Sequence, residues 1–235
     1  MKLLKYVLAF LLVSSFSFSP QAQDFNHDGR GCGLSIKSKW LTRYQAGEIT
    51  PVPKFSAFRY IPTRYVLVGA DDGTGYVNHL AILNALDQLN EDFATANMQF
   101  YLTDIDYHND SDLWEHATTS DGISLARQLN KAGVLNIYFT ERAGGACGYA
   151  IPETNYLVMQ NSCSGNGDRT LSHEAGHVFT LPHTFYGWES VGRIDNIDLN
   201  ERAPNTVRYR GRDVPVERAD SSNCATAADG FCDTA

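Results

Sequence analysis

Basic side chains are scarce in this chain, and their scarcity excludes one class of partner. The 235 residues carry 19 Lys and Arg against 27 Asp and Glu. Without Lys2 and Lys5, which belong to a predicted leader, 17 basic residues remain and the net charge is −10. A protein that binds nucleic acid needs a basic face for the phosphates. We therefore expect no nucleic-acid partner.

Long apolar runs are also missing, apart from one near the start of the chain. Residues 6–13 are uninterrupted apolar and aromatic side chains that follow Lys2 and Lys5 and precede small residues up to Ala22. The pattern predicts a secretory signal peptide over residues 1–22, because the run is too short to span a membrane. We expect a secreted protein, extracellular or periplasmic, without a membrane span.

Cysteine is infrequent, and the number of cysteines, five, is odd. In an exported chain, cysteines are interpreted first as disulfides. Cys147 and Cys163 flank a predicted hairpin, so we expect them to pair. Cys224 and Cys232 are close in sequence and form the second predicted pair. Cys32 is then left without an assigned role.

Internal repeats and low-complexity tracts are absent, and the patterning changes along the chain. Residues 23–58 contain many Gly and Pro without a sustained apolar period, whereas apolar runs and helical periods alternate from residue 60 onward. We predict strands at 65–68, 98–105, 134–139, 148–151 and 156–159, and helices at 77–96 and 123–131. This order predicts an α+β fold with a mixed twisted sheet, packed helices and an irregular C-terminal lobe.

The sequence HEAGHVFTLPH at residues 173–183 contains the candidate metal ligands and a candidate general base. His173 and His177 are four residues apart and therefore lie on one face of a helix. Pro182 disfavours continuation of that helix, so we expect a turn that brings His183 back toward the other two. Three histidines with one open position form a catalytic zinc site. Glu174 stands where a general base would activate water.

A downstream carboxylate is the alternative third ligand. Glu189 and Glu201 are both available for that role. The spacing of His183 disfavours this alternative, because a helix breaker lies directly before it.

With these residues identified, the chain resembles the metzincin metallopeptidases, and within them the pappalysin family. The long zinc motif carries most of the resemblance. Further segments similar to the family follow its order: residues 89–93, 135–138, 148–152 and 232–234. The resemblance implies a metzincin-like zincin fold over residues 59–235 and a zinc endopeptidase that acts on protein or peptide substrates.

Two features depart from the family pattern. Thr180 stands where the family has glycine, so either the turn has another shape or its backbone is strained. The family also carries a methionine turn beneath the zinc with a nearby tyrosine, but Met1, Met98 and Met159 all precede the zinc motif. We interpret the chain as lacking the C-terminal part of the catalytic domain. The alternative function is a secreted zincin-fold binding module without turnover.

The resemblance also implies a role for Cys32. The segment around it, residues 30–33, is similar to a pro-segment element in which a cysteine thiolate blocks the zinc. Residues 23–58 would then form a pro-segment of a latent zymogen. Cleavage would occur in a basic stretch that includes Arg43, Lys54, Arg59 and Arg64. The alternative is that Cys32 pairs with a cysteine in the missing C-terminal part.

The sequence suggests three further features, each on weaker grounds. We expect an extended substrate to add a strand to the sheet edge formed by part of residues 146–160. The family resemblance makes calcium a candidate second cofactor, with candidate ligands at Asp195, Asn196, Asp198 and Asn200, whose spacing alone gives little support. Other polar residues are predicted to be solvated: an acidic loop of Asp104, Asp106, Asp110 and Asp112, and the surface histidines His79, His108 and His116.

Overall fold

A computed structural model of the chain describes residues 37–50, 57–191, 198 and 200–232. The predicted signal peptide, Cys32, Lys54, Asp195 and Asn196 lie outside these ranges. No helix in the described ranges has the length and apolar character needed to cross a membrane.

The described chain alternates strands and helices before a small C-terminal hairpin. The helices are α1 (Lys39–Gln45), α2 (His79–Phe93), α3 (Ser111–Glu115), α4 (Thr119–Leu129) and α5 (Thr170–Val178). The strands are β1 (Arg59–Gly69), β2 (Met98–Asn109), β3 (Leu135–Thr140), β4 (Gly148–Ala150), β5 (Tyr156–Gln160), β6 (Thr206–Tyr209) and β7 (Arg212–Pro215).

Strands β1 to β5 form one mixed sheet in the order β2-β1-β3-β5-β4. The first four of these are mutually parallel, and β4 pairs antiparallel with β5 at the edge. All six residues of β3 are buried, as expected for a central strand that is covered on both faces. The predicted mixed sheet with packed helices is confirmed.

Alternation along β1 divides the core between the two faces of the sheet. Tyr65 and Leu67 point to one face and pack with residues of α2 and α5, whereas Val66 and Val68 pack with residues of α3 and α4. Burial of these large side chains provides the main stabilisation of the sheet. It also anchors α5, which carries the histidine motif, against the sheet.

Two predictions about the periphery are wrong: the four acidic residues do not form one loop, since Asp112 lies in α3, and His116 is not at the surface. Asp104 and Asp106 belong to β2, not to a loop, and they pair with Lys131 and Arg64 respectively. They remain solvated because β2 is an edge strand whose side chains alternate in exposure. His116 is fully buried and its Nε2 lies 2.6 Å from the Tyr149 hydroxyl.

The sequence predicts an irregular C-terminal lobe, but part of this lobe is a regular hairpin. Strands β6 and β7 pair antiparallel, with Thr206 opposite Pro215 and Tyr209 opposite Arg212. Four-residue strands with charged side chains give too short an alternating pattern to stand out in a sequence. The lobe therefore contains an ordered hairpin close to the histidine motif.

The segment before β1 is also more ordered than its composition predicts. Ser38 caps α1 by accepting a hydrogen bond from the Leu41 N–H at 2.9 Å. At the other end of α1, the Gln45 side chain donates to the Asp229 carbonyl at 3.0 Å, and the rings of Tyr44 and Phe231 stack. The N-terminal helix is thereby held against the C-terminal segment.

The basic stretch proposed for cleavage is divided by the structure. Arg59 and Arg64 lie within β1, and the Arg64 guanidinium donates to the Asp106 carboxylate and to the Leu129 carbonyl. Cleavage at either position would cut a central strand. Both are therefore unsuitable, and Arg43, which is exposed on α1, is the described candidate.

Candidate metal centre

The helix that carries the motif begins and ends at defined residues. The Asp168 carboxylate accepts a hydrogen bond from the Thr170 N–H at 2.7 Å, which satisfies a free donor of the first turn. Along α5, His173 and His177 project from the same face, and their Nε2 atoms are 3.1 Å apart. Local helix geometry alone therefore brings two imidazole nitrogens together.

The end of α5 is a tight turn that requires a left-handed residue. The Leu181 N–H donates to the Gly176 carbonyl at 3.0 Å and the Thr180 N–H donates to the His177 carbonyl at 2.9 Å. This pair of bonds defines a Schellman motif, whose left-handed position is usually glycine. Thr180 occupies that position with φ of 77°. Of the two alternatives raised by the sequence, the backbone is strained and the turn keeps its shape.

The turn delivers His183 to the other two histidines. Each of the three side chains offers a ring nitrogen, and these atoms all lie within 4.8 Å of one another. Tetrahedral zinc with Zn–N bonds of about 2.0–2.1 Å separates its ligand nitrogens by roughly 3.3 Å, and the 3.1 Å between His173 and His177 fits that spacing.

Hydrogen bonds to the outer ring nitrogens set which atoms face the centre. The His177 Nδ1–H donates to the Leu181 carbonyl at 2.7 Å, so its Nε2 carries the lone pair. The His183 Nδ1 lies 3.1 Å from the Glu189 carboxylate. The His183 Nε2 is buried without a hydrogen-bond partner among the described residues. A buried acceptor of this kind fits a cation at the centre.

Desolvation keeps the imidazoles of His173 and His177 neutral. Burial lowers the pKa of His177 to about 3. His173 lies at the exposed rim, yet desolvation by the surrounding protein still lowers its pKa to about 4. Only neutral imidazole has a lone pair for a metal, so these two side chains are in the ligand state at neutral pH.

Glu174 is buried between α5 and the edge strand β4. Its Cγ lies 3.0 Å from the point that a Cβ on Gly148 would occupy. The absence of a side chain at residue 148 therefore lets β4 approach the carboxylate closely. The Glu174 carboxylate thus follows the first histidine directly in sequence and is fully buried beside β4.

The cysteines near the site are joined as the sequence predicts. The structure contains the disulfides Cys147–Cys163 and Cys224–Cys232. The first one ties the residue before β4 to the 3-10 helix Asn161–Cys163 that follows β5. It therefore fixes the edge strand beside Glu174.

Other candidate ligands lie away from the three nitrogens. Among the described residues, the cluster that could hold a metal comprises the three histidines and neither Glu189 nor Glu201. Glu189 lies behind His183, and Glu201 is exposed. The Asp198 side chain accepts hydrogen bonds from Asn200, so calcium binding there stays a prediction.

Two structural contributions to the site have no signal in the sequence. The contact of Glu189 with His183 depends on how the loop after residue 183 folds back. The close approach of Gly148 to Glu174 depends on the packing of β4 against α5. No periodicity or spacing marks either contact, because both join segments whose relative placement is tertiary.

The site thus combines a three-histidine cluster, a buried glutamate and a mixed-sheet edge. No family model matches the chain. It is 29% identical over 191 residues to an extracellular metalloprotease of Colletotrichum graminicola. The aligned region covers 72% of this chain and 62% of that protein. It is 29% identical over 175 residues to extracellular metalloprotease 1 of Coccidioides posadasii, with 66% and 57% covered. The chain spans about three fifths of the length of these relatives.

A third relative and one solved structure are also similar to this chain. An extracellular metalloprotease of Neurospora crassa is 30% identical over 175 residues, which is 66% of this chain and 55% of that protein. A promirolysin mutant of Tannerella forsythia superposes with a TM-score of 0.47 and 18% identity, over 66% of this chain and 70% of that chain.

Proposed function

We propose that this chain carries the catalytic centre of a secreted zinc endopeptidase of the metzincin type, similar to the pappalysins. The convergence of three imidazoles beside a buried glutamate carries the proposal. The names of the relatives support both proteolysis and export, since they are extracellular metalloproteases. His173, His177 and His183 would hold the ion.

The donor set suits zinc. Imidazole nitrogen is a favoured zinc ligand, and three protein ligands leave one position for chemistry. Zinc, when bound, supplies Lewis-acid chemistry that lowers the pKa of water and polarises the scissile carbonyl.

Glu174 is proposed as the general base. Its carboxylate removes a proton from the attacking water as the water oxygen bonds to the carbonyl carbon. The same carboxyl then gives that proton to the leaving nitrogen as the C–N bond breaks. Burial beside β4 restricts the orientation of the carboxylate, which favours repeated transfer at the same atoms.

The edge strand β4 is proposed to bind the substrate. It is the terminal strand of the described sheet, so its outer side can pair with an extended peptide. Gly148 of β4 lies next to Glu174. A peptide on this edge would therefore pass the proposed base.

The decisive experiment measures hydrolysis of a fluorescence-quenched unfolded protein together with zinc content. We expect chelator-sensitive activity that zinc restores, and a loss of about 10²- to 10⁴-fold in Glu174→Gln with full zinc content. Glu201→Gln changes an exposed carboxylate and should behave as wild type. Undiminished turnover in Glu174→Gln would reject the base. Stoichiometric zinc without any wild-type hydrolysis would favour the binding-module alternative.

Latency through Cys32 forms the second part of the proposal. Lys37 lies over the Tyr186 ring at 4.7 Å, and it is attracted to the carboxylates of Asp229 and Glu189. Glu189 also contacts His183, so one carboxylate interacts with both Lys37 and the third histidine. Five residues span at most about 17 Å, so Cys32 lies within that distance of Lys37.

Thiol chemistry tests latency separately from proteolysis. We expect the unprocessed Cys32→Ser chain to hydrolyse substrate faster than the unprocessed wild type. A titration of the denatured wild type, with chelator and without reductant, should find one free thiol. A result of zero thiols would show that Cys32 forms a disulfide and would contradict the switch. Equal activity of the two chains would also contradict it.

A further inference from the structure

We propose that Glu189 is a positioning residue for the metal centre, acting through His183. This inference rests on the proposed zinc site. It assigns a role to a residue that the sequence suggests only as an alternative ligand.

Both oxygens of the Glu189 carboxylate are engaged. Oε1 lies 3.1 Å from the His183 Nδ1, and Oε2 accepts a hydrogen bond from the Gly187 N–H at 2.5 Å. The side chains of His183 and Glu189 are only 4% and 12% exposed. Two bonds in a nearly dry environment hold the carboxylate in one orientation.

The carboxylate determines which nitrogen of His183 is available. An acceptor at Nδ1 places the ring proton there and leaves the lone pair on Nε2. That Nε2 is the buried atom without a hydrogen-bond partner among the described residues. Negative charge behind the ring also makes the imidazole a stronger electron donor. Glu189 thus sets the tautomer of this ligand and places negative charge behind it.

His183 needs such support more than the other two ligands. His173 and His177 are fixed by α5, whereas His183 follows the strained turn at Thr180 and belongs to no helix or strand. The Phe185 ring stacks on the His183 ring at 4.7 Å but is half exposed. Stacking limits tilt of the ring, whereas the Glu189 contact opposes its rotation by half a turn.

The C-terminal hairpin holds the loop that presents Glu189. Gly187 has φ of 104°, and a Cβ there would lie 2.9–3.1 Å from side-chain atoms of Val207 and Val214. The Tyr186 and Tyr209 rings also meet edge to face at 5.4 Å. The β6–β7 hairpin therefore packs directly on the loop, and Gly187 is the residue that permits both the backbone turn and this contact.

Zinc affinity is the readout that separates positioning from simple structural support. With the full chain, zinc Kd is measured by competition with a chromophoric chelator, and apo Tm is recorded in parallel. We expect Glu189→Ala to weaken zinc binding about 10- to 100-fold. Glu189→Gln keeps an acceptor for Nδ1–H but loses the charge, so its Kd should lie between those of Ala and wild type. Glu201→Gln is the matched control.

The outcomes distinguish this inference from the function on which it rests. If wild type fails to bind zinc, or His183→Ala binds with unchanged Kd, the proposed metal centre is wrong. If His183→Ala weakens binding while both Glu189 variants bind as wild type, only the role of Glu189 is overturned. Should Glu189→Ala fail to fold, the isosteric Glu189→Gln decides: its Kd must rise above that of wild type.

Discussion

Replacing Thr180 by glycine should stabilise the protein, because the residue is held in a left-handed conformation. A residue with a Cβ pays about 1–2 kcal/mol to adopt that region. Glycine adopts it freely but gains freedom in the unfolded chain, which offsets about 0.5–1 kcal/mol. The net gain is about 0.5–1 kcal/mol. For a domain of this size, that corresponds to a rise in Tm of roughly 1–4 °C.

The assay is thermal and urea unfolding of the chelator-treated protein, so that zinc affinity does not enter. Thr180→Ala is the matched control, since alanine removes the β-branch and hydroxyl but keeps a Cβ in the strained region. Thr180→Gly should therefore raise the Tm more than Thr180→Ala does. A lower Tm for Thr180→Gly, or an equal gain in both variants, would refute the argument that backbone strain at φ of 77° is the source.

Two further predictions concern residues around the site. Gly148→Ala should lower the free energy of unfolding by about 1–3 kcal/mol and reduce kcat, because the new Cβ would lie 3.0 Å from the Glu174 Cγ. Unchanged Tm and kcat would contradict this packing. Burial lowers the pKa of His116 from 6.5 to about 4, so the unfolded chain takes up this proton first and stability falls as pH drops from 6.5 to 4. The loss is about 3 kcal/mol. In urea unfolding of the apo protein at a series of pH values, His116→Asn should flatten the dependence of stability on pH between 6.5 and 4. An unaltered slope would contradict this prediction.

The sequence predicts the regular part of the fold well because burial imposes a period on it. The predicted strand at 134–139 corresponds to Leu135–Thr140, and the predicted helix at 77–96 contains His79–Phe93. The end of that helix differs because Ala94–Ala96 tightens into a 3-10 turn and Asn97 adopts a left-handed conformation. These deviations are local and leave the core unchanged.

The convergence of the histidines was also accessible from local rules. A spacing of four fixes His173 and His177, and Pro182 signals the turn before His183. The sequence left the left-handed backbone at Thr180 as one of two alternatives, and it gave no sign of the contact between Glu189 and His183. A β-branched residue argues against a left-handed turn, and it is overruled here by the hydrogen bonds that the turn makes.

The burial of His116 shows where composition misleads most. An isolated histidine with no partner at a characteristic spacing is expected at the surface. Here its partner is the hydroxyl of Tyr149, 33 residues later and on the edge strand. Pairing across that separation depends on α3 and β4 meeting in space, which no local pattern encodes.

The contact between α1 and residues 229–231 links the proposed cleavage to the packing of the C-terminal segment. The Gln45 side chain and the Tyr44 ring rest on residues 229–231. A cut at Lys54 would remove the hydrogen bond from Gln45 to the Asp229 carbonyl and the stacking of Tyr44 on Phe231, whereas a cut at Arg43 would leave both contacts in the processed chain. The position of the proposed cleavage therefore decides whether the packing of residues 229–231 changes together with the N-terminal segment.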